Sequence, residues 1–420
     1  MKSSGVEWIG EIPEDWDVTR SKNIFTQRSS RGNDVEEQLA ATQQHGMYPQ
    51  KLLEGVVQVK EDTDLQQFKT VHKNDYVISL RSFQGGFEMS DYEGVCSPAY
   101  QVFYNTIPIS YRYYKYLFKS DGFISKMNSL TVGIREGKNI QYKDFSNSPI
   151  IIPPKSTQQR IASYLDKKCS KIEETIQNQQ QVIEKLKAYK QSLITEAVTG
   201  KIKIQNGKVC GKYENYKDSG VEWIGKIPSE WEVGKFGRFA QVKSNLVDPN
   251  LYLEYPQIAP DNIGKGSGKL IDWQTVKDSG VISWNHLFFK GQIVYSKIRP
   301  TLNKLIIAPF DGLCSADMYP IETNIHKQFF VYMMLSQYFV EQVGLITRDR
   351  VKMPKINQNE LSGILITVPT KEEQKEISDY LDKKCTAIDT AIEQKQNLIE
   401  KLTEYKKSLI YECVTGKKEI

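Results

Sequence analysis

Along most of the chain apolar and polar residues alternate over short runs, but one long regular pattern stands out, and it occurs twice. Leu165, Cys169, Ile172, Ile176, Gln179, Ile183, Leu186, Lys190, Leu193 and Ala197 follow one another at spacings of four and three, and eight of the ten are apolar. Leu381, Cys385, Ile388, Ile392, Lys395, Ile399, Leu402, Lys406, Leu409 and Cys413 repeat the series 216 residues later, again with eight of ten apolar. More than four heptads of this kind predict a coiled coil. The plainer alternative is two independent amphipathic helices, each lying on its own domain. Prolines with polar caps precede both helices (Pro153, Pro154 and Ser156; Pro369 and Thr370), and Thr370 to Glu373 has capping-box spacing. Gly200 and Gly416 stand where a helix C-terminus favours glycine. Elsewhere, short apolar runs at Tyr76–Leu80, Gln292–Tyr295 and Lys304–Ala308 predict strands. Tyr111–Lys119 and Lys327–Leu335 predict one helix in each half. Arg112 and Lys115 among the aromatics of the first could suggest base stacking, but its mate is apolar, which favours core packing.

The duplication extends beyond the helices. SGVEWIGEIPEDW (Ser4 to Trp16) returns as SGVEWIGKIPSEW (Ser219 to Trp231) with ten of thirteen positions identical. YLDKKC returns unchanged at Tyr380 to Cys385, and VTGK at Val414 to Lys417. The expected organisation is a mixed α/β (α+β) domain over residues 1–154, a helix over 155–200, a linker over 201–218, a second domain over 219–369, a second helix over 370–416 and a tail over 417–420. The ends of each copy are nearly identical and the middles differ, which suits a shared scaffold carrying two different binding surfaces.

Helix length constrains the arrangement. A helix of roughly 42 residues is about 63 Å long, whereas a domain of ~150 residues is about 40 Å across. With some 18 residues between Gly200 and Ser219, the second domain should start near the far end of the first helix. A second helix paired with the first must then run back, so an antiparallel two-helix spacer with a domain at each end is expected. Such an object suits two short sites a fixed distance apart on a rod, and duplex DNA is such a rod.

Composition is compatible with this. The chain has 420 residues, 39% hydrophobic and 25% charged, with net charge +5 and pI near 8.6. This permits a nucleic-acid partner without requiring one. No apolar run approaches the ~18 residues of a membrane span, and MKSSGVEW is not a signal segment, so a cytoplasmic protein is expected. The six cysteines form no CxxC pair, and Cys169 and Cys385 read as small core residues. Gly264 to Lys269 (GKGSGK) lacks phosphate-loop spacing and reads as a flexible basic loop. No glycine fingerprint for a dinucleotide or methyl donor, no nuclease motif and no metal-ligand pairing among His45, His72, His286 and His326 emerges, so neither a catalytic residue nor a metal site is assigned.

Recognition chemistry remains. SLRSFQGG (Ser79 to Gly86) and SKIRPTLNK (Ser296 to Lys304) follow predicted strands in the two copies, with Ser79, Arg81, Gln84, Ser296, Lys297, Arg299 and Asn303 as candidate DNA contacts. Arginine can grip a guanine edge through two bonds, and glutamine or asparagine an adenine edge. GIREGKN (Gly133 to Asn139) and TRDRVKMPK (Thr347 to Lys355) add Arg135, Lys138, Arg348, Arg350 and Lys352 as candidate phosphate contacts. Solvated charged loops are the alternative for each.

With these features in place the sequence resembles the specificity subunit of a type I restriction-modification system. The two SGVEWIG openings, the SKIRP turn, the IIPPKSTQQRIASYLD and ITVPTKEEQKEISDYLD approaches to the helices and the VTGK ends carry the resemblance from Ser4 to Gly416. It implies two target recognition domains, each reading one half of a bipartite DNA site. It also implies an antiparallel spacer, with Leu165, Ile172, Ile176, Ile183, Leu186, Leu193, Leu381, Ile388, Ile392, Ile399, Leu402 and Leu409 in its seam, that sets the gap and docks two methylation subunits. The chain itself would have no catalysis and no cofactor. S-adenosylmethionine, ATP and Mg2+ would be used by the methylation and restriction subunits. Copy one departs from SKIRP, reading Ser79, Leu80, Arg81, so a contact carries over less directly to Arg81 than to Lys297 and Arg299. A coiled-coil adaptor binding other proteins through its end domains is the alternative function.

Overall fold

The protein is described as a computed structural model covering residues 1–32, 37–43, 45–53, 65–79, 86–130, 140–222, 224–350 and 352–420. The 4-3 pattern produces two helices of 44 residues, Lys155–Val198 and Lys371–Val414. The chain divides into two units, one made of Met1–Gln179 with Gln396–Ile420, the other of Gln180–Lys395. Each unit therefore contains part of both long helices.

In the first unit a four-stranded antiparallel sheet runs in the order Phe25–Gln27, Gln101–Asn105, Tyr76–Ile78, Phe87–Met89. The second unit repeats this topology with Ala240–Val242, Met318–Thr323, Ile293–Ser296 and Leu305–Ile307. A second recurrent pairing ties the start of each domain to the strand before its long helix: Asp17–Arg20 with Pro149–Ile152, and Glu232–Lys235 with Leu365–Val368. The middles differ in strand length. The second unit carries a five-stranded mixed sheet built from Leu246–Val247, Asn285–Phe288, Gly312–Cys314, Pro256–Ile258 and Gln274–Thr275. In the first unit the corresponding pairs, Lys69–Val71 with Gly94–Cys96 and Leu39–Thr42 with Gly46–Pro49, are joined in the same order by single bridges, Arg31 to Lys69 (antiparallel) and Gln38 to Val95 (parallel), so the arrangement recurs among the described residues.

The two predicted domain helices, Tyr111–Phe118 and Lys327–Leu335, pack inward. Tyr113, Tyr114, Leu117 and Phe118 join the core of the first unit, and Phe329, Phe330, Met333 and Met334 that of the second. Arg112 is paired with Asp166 at 3.2 Å. The first core is an aromatic cluster in which Phe25, Tyr76, Phe103, Phe118 and Phe145 meet with ring centroids 4.7 to 5.9 Å apart. Such offset and edge-on contacts add about 0.5–1.5 kcal/mol each beyond their buried area.

The long helices pair antiparallel within each unit. In the first, Leu165, Cys169 and Ile172 near the start of one helix share a core with Leu409, Ile410 and Cys413 near the end of the other. In the second, Leu193, Ile194 and Ala197 pack with Ile377, Leu381 and Cys385. None of the twenty residues in the two 4-3 series is exposed. The two lysines in the seam are neutralised from across it: Lys190 by Asp389 at 2.7 Å, and Lys406 by Glu173. Burial pushes the Cys169 and Cys385 thiols up to about 11, as expected for packing residues.

The repeated motifs now have physical tasks. Gln158 accepts from the Ser110 backbone N–H and donates to Pro153 O, both at 2.8 Å, while Gln374 does the same with His326 and Pro369 at 2.8 and 2.9 Å. Asp166 and Asp382, the aspartates of YLDKKC, accept from the Tyr116 and Tyr332 hydroxyls at 2.8 and 2.7 Å. Thr370 and Glu373 form the expected capping box. Ser156, by contrast, is already helical, because the first long helix begins at Lys155. Each long helix closes in a Schellman motif, with Lys201 N bonded to Glu196 O and Lys417 N to Glu412 O around left-handed Gly200 (φ 70°) and Gly416 (φ 74°). A Cβ on Gly200 would lie 2.3 Å from Pro228 Cδ, and one on Gly416 equally close to Pro13 Cδ, with Trp231 and Trp16 just behind. The IP--W half of each opening motif is thus the lid on a VTGK helix end.

Two outcomes follow for stability. Gly416→Ala combines a left-handed backbone with a collision against Pro13. It should destabilise by more than about 1 kcal/mol, whereas Gly220→Ala, at φ 70° with open surroundings, should cost only the backbone strain; urea denaturation midpoints of the two variants make the comparison. The second concerns Glu88, a buried carboxylate paired with Lys119. Burial raises its pKa from 4.5 to about 7, against the opposing pull of Lys119. Its folded pKa lies above the unfolded one, so stability is lost as pH rises from 4.5 through about 7. Lys119→Met removes the compensating charge and should cost about 3–5 kcal/mol at pH 8, with the difference from wild type shrinking at pH 5 as Glu88 protonates; thermal melts at both pH values test this.

Candidate nucleic-acid interface

The two basic turns are loops of equivalent hairpins. Ser79 N bonds to Gly86 O at 2.8 Å at the mouth of the first, and Ser296 N to Lys304 O at 2.9 Å at the mouth of the second. Of the first-unit candidates, Ser79 is buried, while Arg81, Gln84, Arg135 and Lys138 lie outside the described residues.

The second hairpin shows its geometry in full. Arg299 (φ 42°) and Asn303 (φ 48°) are both left-handed, flanking a 3-10 turn over Pro300–Leu302. A left-handed arginine directly before a proline is strained, at a cost on the order of 1–3 kcal/mol, and persists only where its surroundings enforce it. They do so here. Arg299 N donates to Pro354 O at 2.7 Å, and Ile356 N donates to Lys297 O at 3.0 Å. Gly266 N reaches Leu302 O and Asn303 O, both at 3.1 Å. The two basic stretches that are separate in sequence, Ser296 to Lys304 and Thr347 to Lys355, are therefore one assembly.

Within it the candidates divide by task. Ser296 and Asn303 are buried; the serine hydroxyl donates to Ile298 O at 3.1 Å and the asparagine amide to Met334 O at 2.8 Å. Arg350 is held by Glu360 and Lys355 O, and its hydrogen bonds hold the Glu360 carboxyl below its usual range. Ser296 and Asn303 build the turn from within it, and Arg350 braces it while remaining exposed. Arg299, Arg348 and Lys352 are exposed, and no carboxylate among the described residues pairs with them. Lys297 lies over the Tyr319 ring at 5.2 Å. Its charge, after burial, also keeps the His286 imidazole below its ordinary pKa. That favours the neutral ring, whose Nδ1 stands 3.2 Å from the Asn245 backbone N–H. The result is a rigid, strained loop presenting uncompensated cations, suited to an anionic partner.

The GKGSGK segment is not the flexible loop its composition suggests, since Gly266 supports the turn and Lys269 pairs with Asp389 at 2.8 Å. A phosphate-loop test cannot detect that role, because the partners are some 35 and 120 residues away in sequence. Among the described residues no cluster of three or more His, Cys, Asp or Glu side chains could hold a metal ion, and no single helix is long and apolar enough to cross a membrane.

Comparison with known proteins agrees with the duplicated design. The family model for the type I restriction modification DNA specificity domain matches twice, over residues 13–188 and 228–402. The chain is 31% identical over 352 residues to the type I restriction enzyme EcoDI specificity subunit of Escherichia coli, covering 80% of this chain and 77% of that protein. It is 28% identical over 302 residues to the MjaVIII specificity subunit of Methanocaldococcus jannaschii, covering 66% and 64%. Among solved structures, a chain from work on complex assembly and conformational transition of the type I R-M system superposes with a TM-score of 0.72 at 12% identity, covering 97% of this chain and all of that one. The HsdS subunit of Thermoanaerobacter tengcongensis gives a TM-score of 0.51 at 12% identity, covering 97% and 98%. These last two bear on the fold alone. With both halves matched by the family model and a relative above 30% identity over most of the chain, this protein belongs to the type I restriction-modification specificity subunits.

Proposed function

We propose that this chain is the DNA-reading component of a cytoplasmic type I restriction-modification enzyme, with residues 1–154 and 219–369 as its two target recognition domains. The second domain reads one half-site through Arg299 and Lys297, with Arg348 and Lys352 on the phosphates. The first reads the other half through Arg81 and Gln84, with Arg135 and Lys138 on its phosphates. The observation that carries this reading is Arg299: a free guanidinium on strained backbone, held outward by bonds to its own main chain. Because the middles of the two domains differ, the target is two unlike short words separated by a fixed gap. The helix pair, residues 155–200 and 370–416, sets that gap and docks two methylation subunits. Tyr189 and Tyr405 support the docking role, since they occupy equivalent positions on the two helices and remain 55% and 52% exposed. Chemistry belongs to the partners: adenine methylation with S-adenosylmethionine on the methylation subunits, and ATP- and Mg2+-dependent translocation and cleavage on restriction subunits.

Arg299→Ala should cost one bidentate base contact, about 1–3 kcal/mol, and relax reading of the second half-site only. Long-read methylation mapping of cells carrying the variant checks this, and equal relaxation of both halves would refute the assignment. Arg299→Gly should relax the same half-site while leaving the thermal midpoint equal or higher, since glycine tolerates positive φ. Insertion of one heptad after Gln177 should change the gap and spare both half-sites; an unchanged gap with intact methylation contradicts the spacer role. Tyr189→Asp with Tyr405→Asp should lower the yield of the assembled methyltransferase on size exclusion without changing the fold of the free chain.

A further inference from the structure

The second unit carries two large apolar side chains that neither its core nor the basic assembly uses. Ile282 is 87% exposed and Trp284 is 60% exposed. They lie between left-handed Gly280 and the strand Asn285–Phe288. The base of this loop is fixed. Asn285 is buried, donates to Ser283 O at 2.8 Å and stands 3.5 Å from the Gln257 amide, and the neighbouring His286 is also buried. Strand register locates the loop. His286 lies opposite Cys314 in an antiparallel pair, so the residues before Asn285 emerge at the end of the sheet where the chain continues past Cys314. Three residues past Cys314, Asp317 O accepts from Lys297 N at 3.0 Å, placing the Lys297–Arg299 turn at the same end.

An isolated apolar loop would say nothing about its occupant. Here it shares a sheet end with Lys297 and Arg299, cations lacking a carboxylate partner among the described residues. A partner must match positive charge and large apolar surface within one small area. Duplex DNA does so, because phosphates flank stacked bases that an apolar side chain can part or cap. Building on the DNA-reading function above, we propose that Trp284, backed by Ile282, is a wedge that stacks against a base step at the second half-site and distorts it. Among the described residues the two units differ at this position. Asn74 (φ 70°) and Gly291 (φ 83°) hold equivalent positions before the strands Tyr76–Ile78 and Ile293–Ser296. Seven residues upstream of them stand Gln67 and Trp284 respectively. The wedge thus distinguishes the two halves of the target in deformability as well as in base contacts.

The test uses the full chain assembled with its methylation subunits and target duplexes carrying 2-aminopurine at successive positions, omitting the adenines that become methylated. The wild-type complex should raise fluorescence at one step in or beside the second half-site and at none in the first. Trp284→Ala should abolish that signal and weaken DNA binding about 5- to 150-fold, Trp284→Phe should retain most of both, and Ile282→Ser should give a smaller loss. The exposed positions predict unchanged thermal midpoints, and should Trp284→Ala fold poorly, the Phe and Ser variants carry the comparison. Unchanged fluorescence and affinity in Trp284→Ala, with Arg299→Ala still relaxing the second half-site, overturns the wedge and leaves DNA reading intact. Loss of methylation-subunit assembly with unaltered DNA affinity assigns the loop to a protein contact and also overturns it. A wild-type complex without site-specific DNA binding removes the underlying function instead.

Discussion

The closure of each long helix against the opening motif of a domain is the contact on which the rest of this structure depends. Gly416 ends one helix in a left-handed turn, leaving room for nothing larger than hydrogen beside Pro13 and Trp16; Gly200 does the same beside Pro228 and Trp231. In the first unit this joins the end of the chain to its beginning, so residues 396–420 complete a core that residues 1–179 begin. Neither half of the sequence fills its own unit. The apolar face of each helix is shared between two cores, and antiparallel pairing within each unit follows from that sharing.

Polar groups then set register where apolar packing alone would allow sliding. A heptad seam tolerates a shift by one repeat, but here a shift one way would set Lys190 and Lys406 opposite Gln396 and Gln180, and a shift the other way would set them opposite Asp382 and Asp166, which already hold the Tyr332 and Tyr116 hydroxyls. The glutamine and aspartate clamps from Gln158, Gln374, Asp166 and Asp382 fasten each domain to its helix at three fixed backbone or hydroxyl partners. The near-identity of the two copies at their ends is the sequence record of these contacts, because identical geometry requires identical donors and acceptors.

The basic assembly of the second unit has the opposite character. Where the helix seam neutralises its lysines, the turn at Lys297–Arg299 leaves cations without a carboxylate partner among the described residues and holds a left-handed arginine before proline. Strain of this kind destabilises the free protein and persists because three neighbouring segments enforce it. It gives the loop a single prearranged shape, which under the DNA-reading function proposed above lowers the ordering cost of binding. The two middles share a strand order but differ in sequence and strand length, a difference that suits the asymmetric target proposed above.

Helix position and length, the duplication, the capping signals and the family were legible in the sequence, because each is written in local spacing: a 4-3 period, a Thr-x-x-Glu box, a glycine after the last apolar turn, a motif recurring at 216 residues. The division of labour among the basic residues was not. Ser296 and Asn303 look like contacts in sequence, yet their partners, Ile298 and Met334, turn them inward, and Arg350, although exposed, is engaged by Glu360. GKGSGK looks free, yet it is pinned by residues far along the chain. Trp284 carries no motif at all. Whether a polar side chain faces a ligand or its own fold depends on which distant donors and acceptors surround it, and only tertiary structure brings those together.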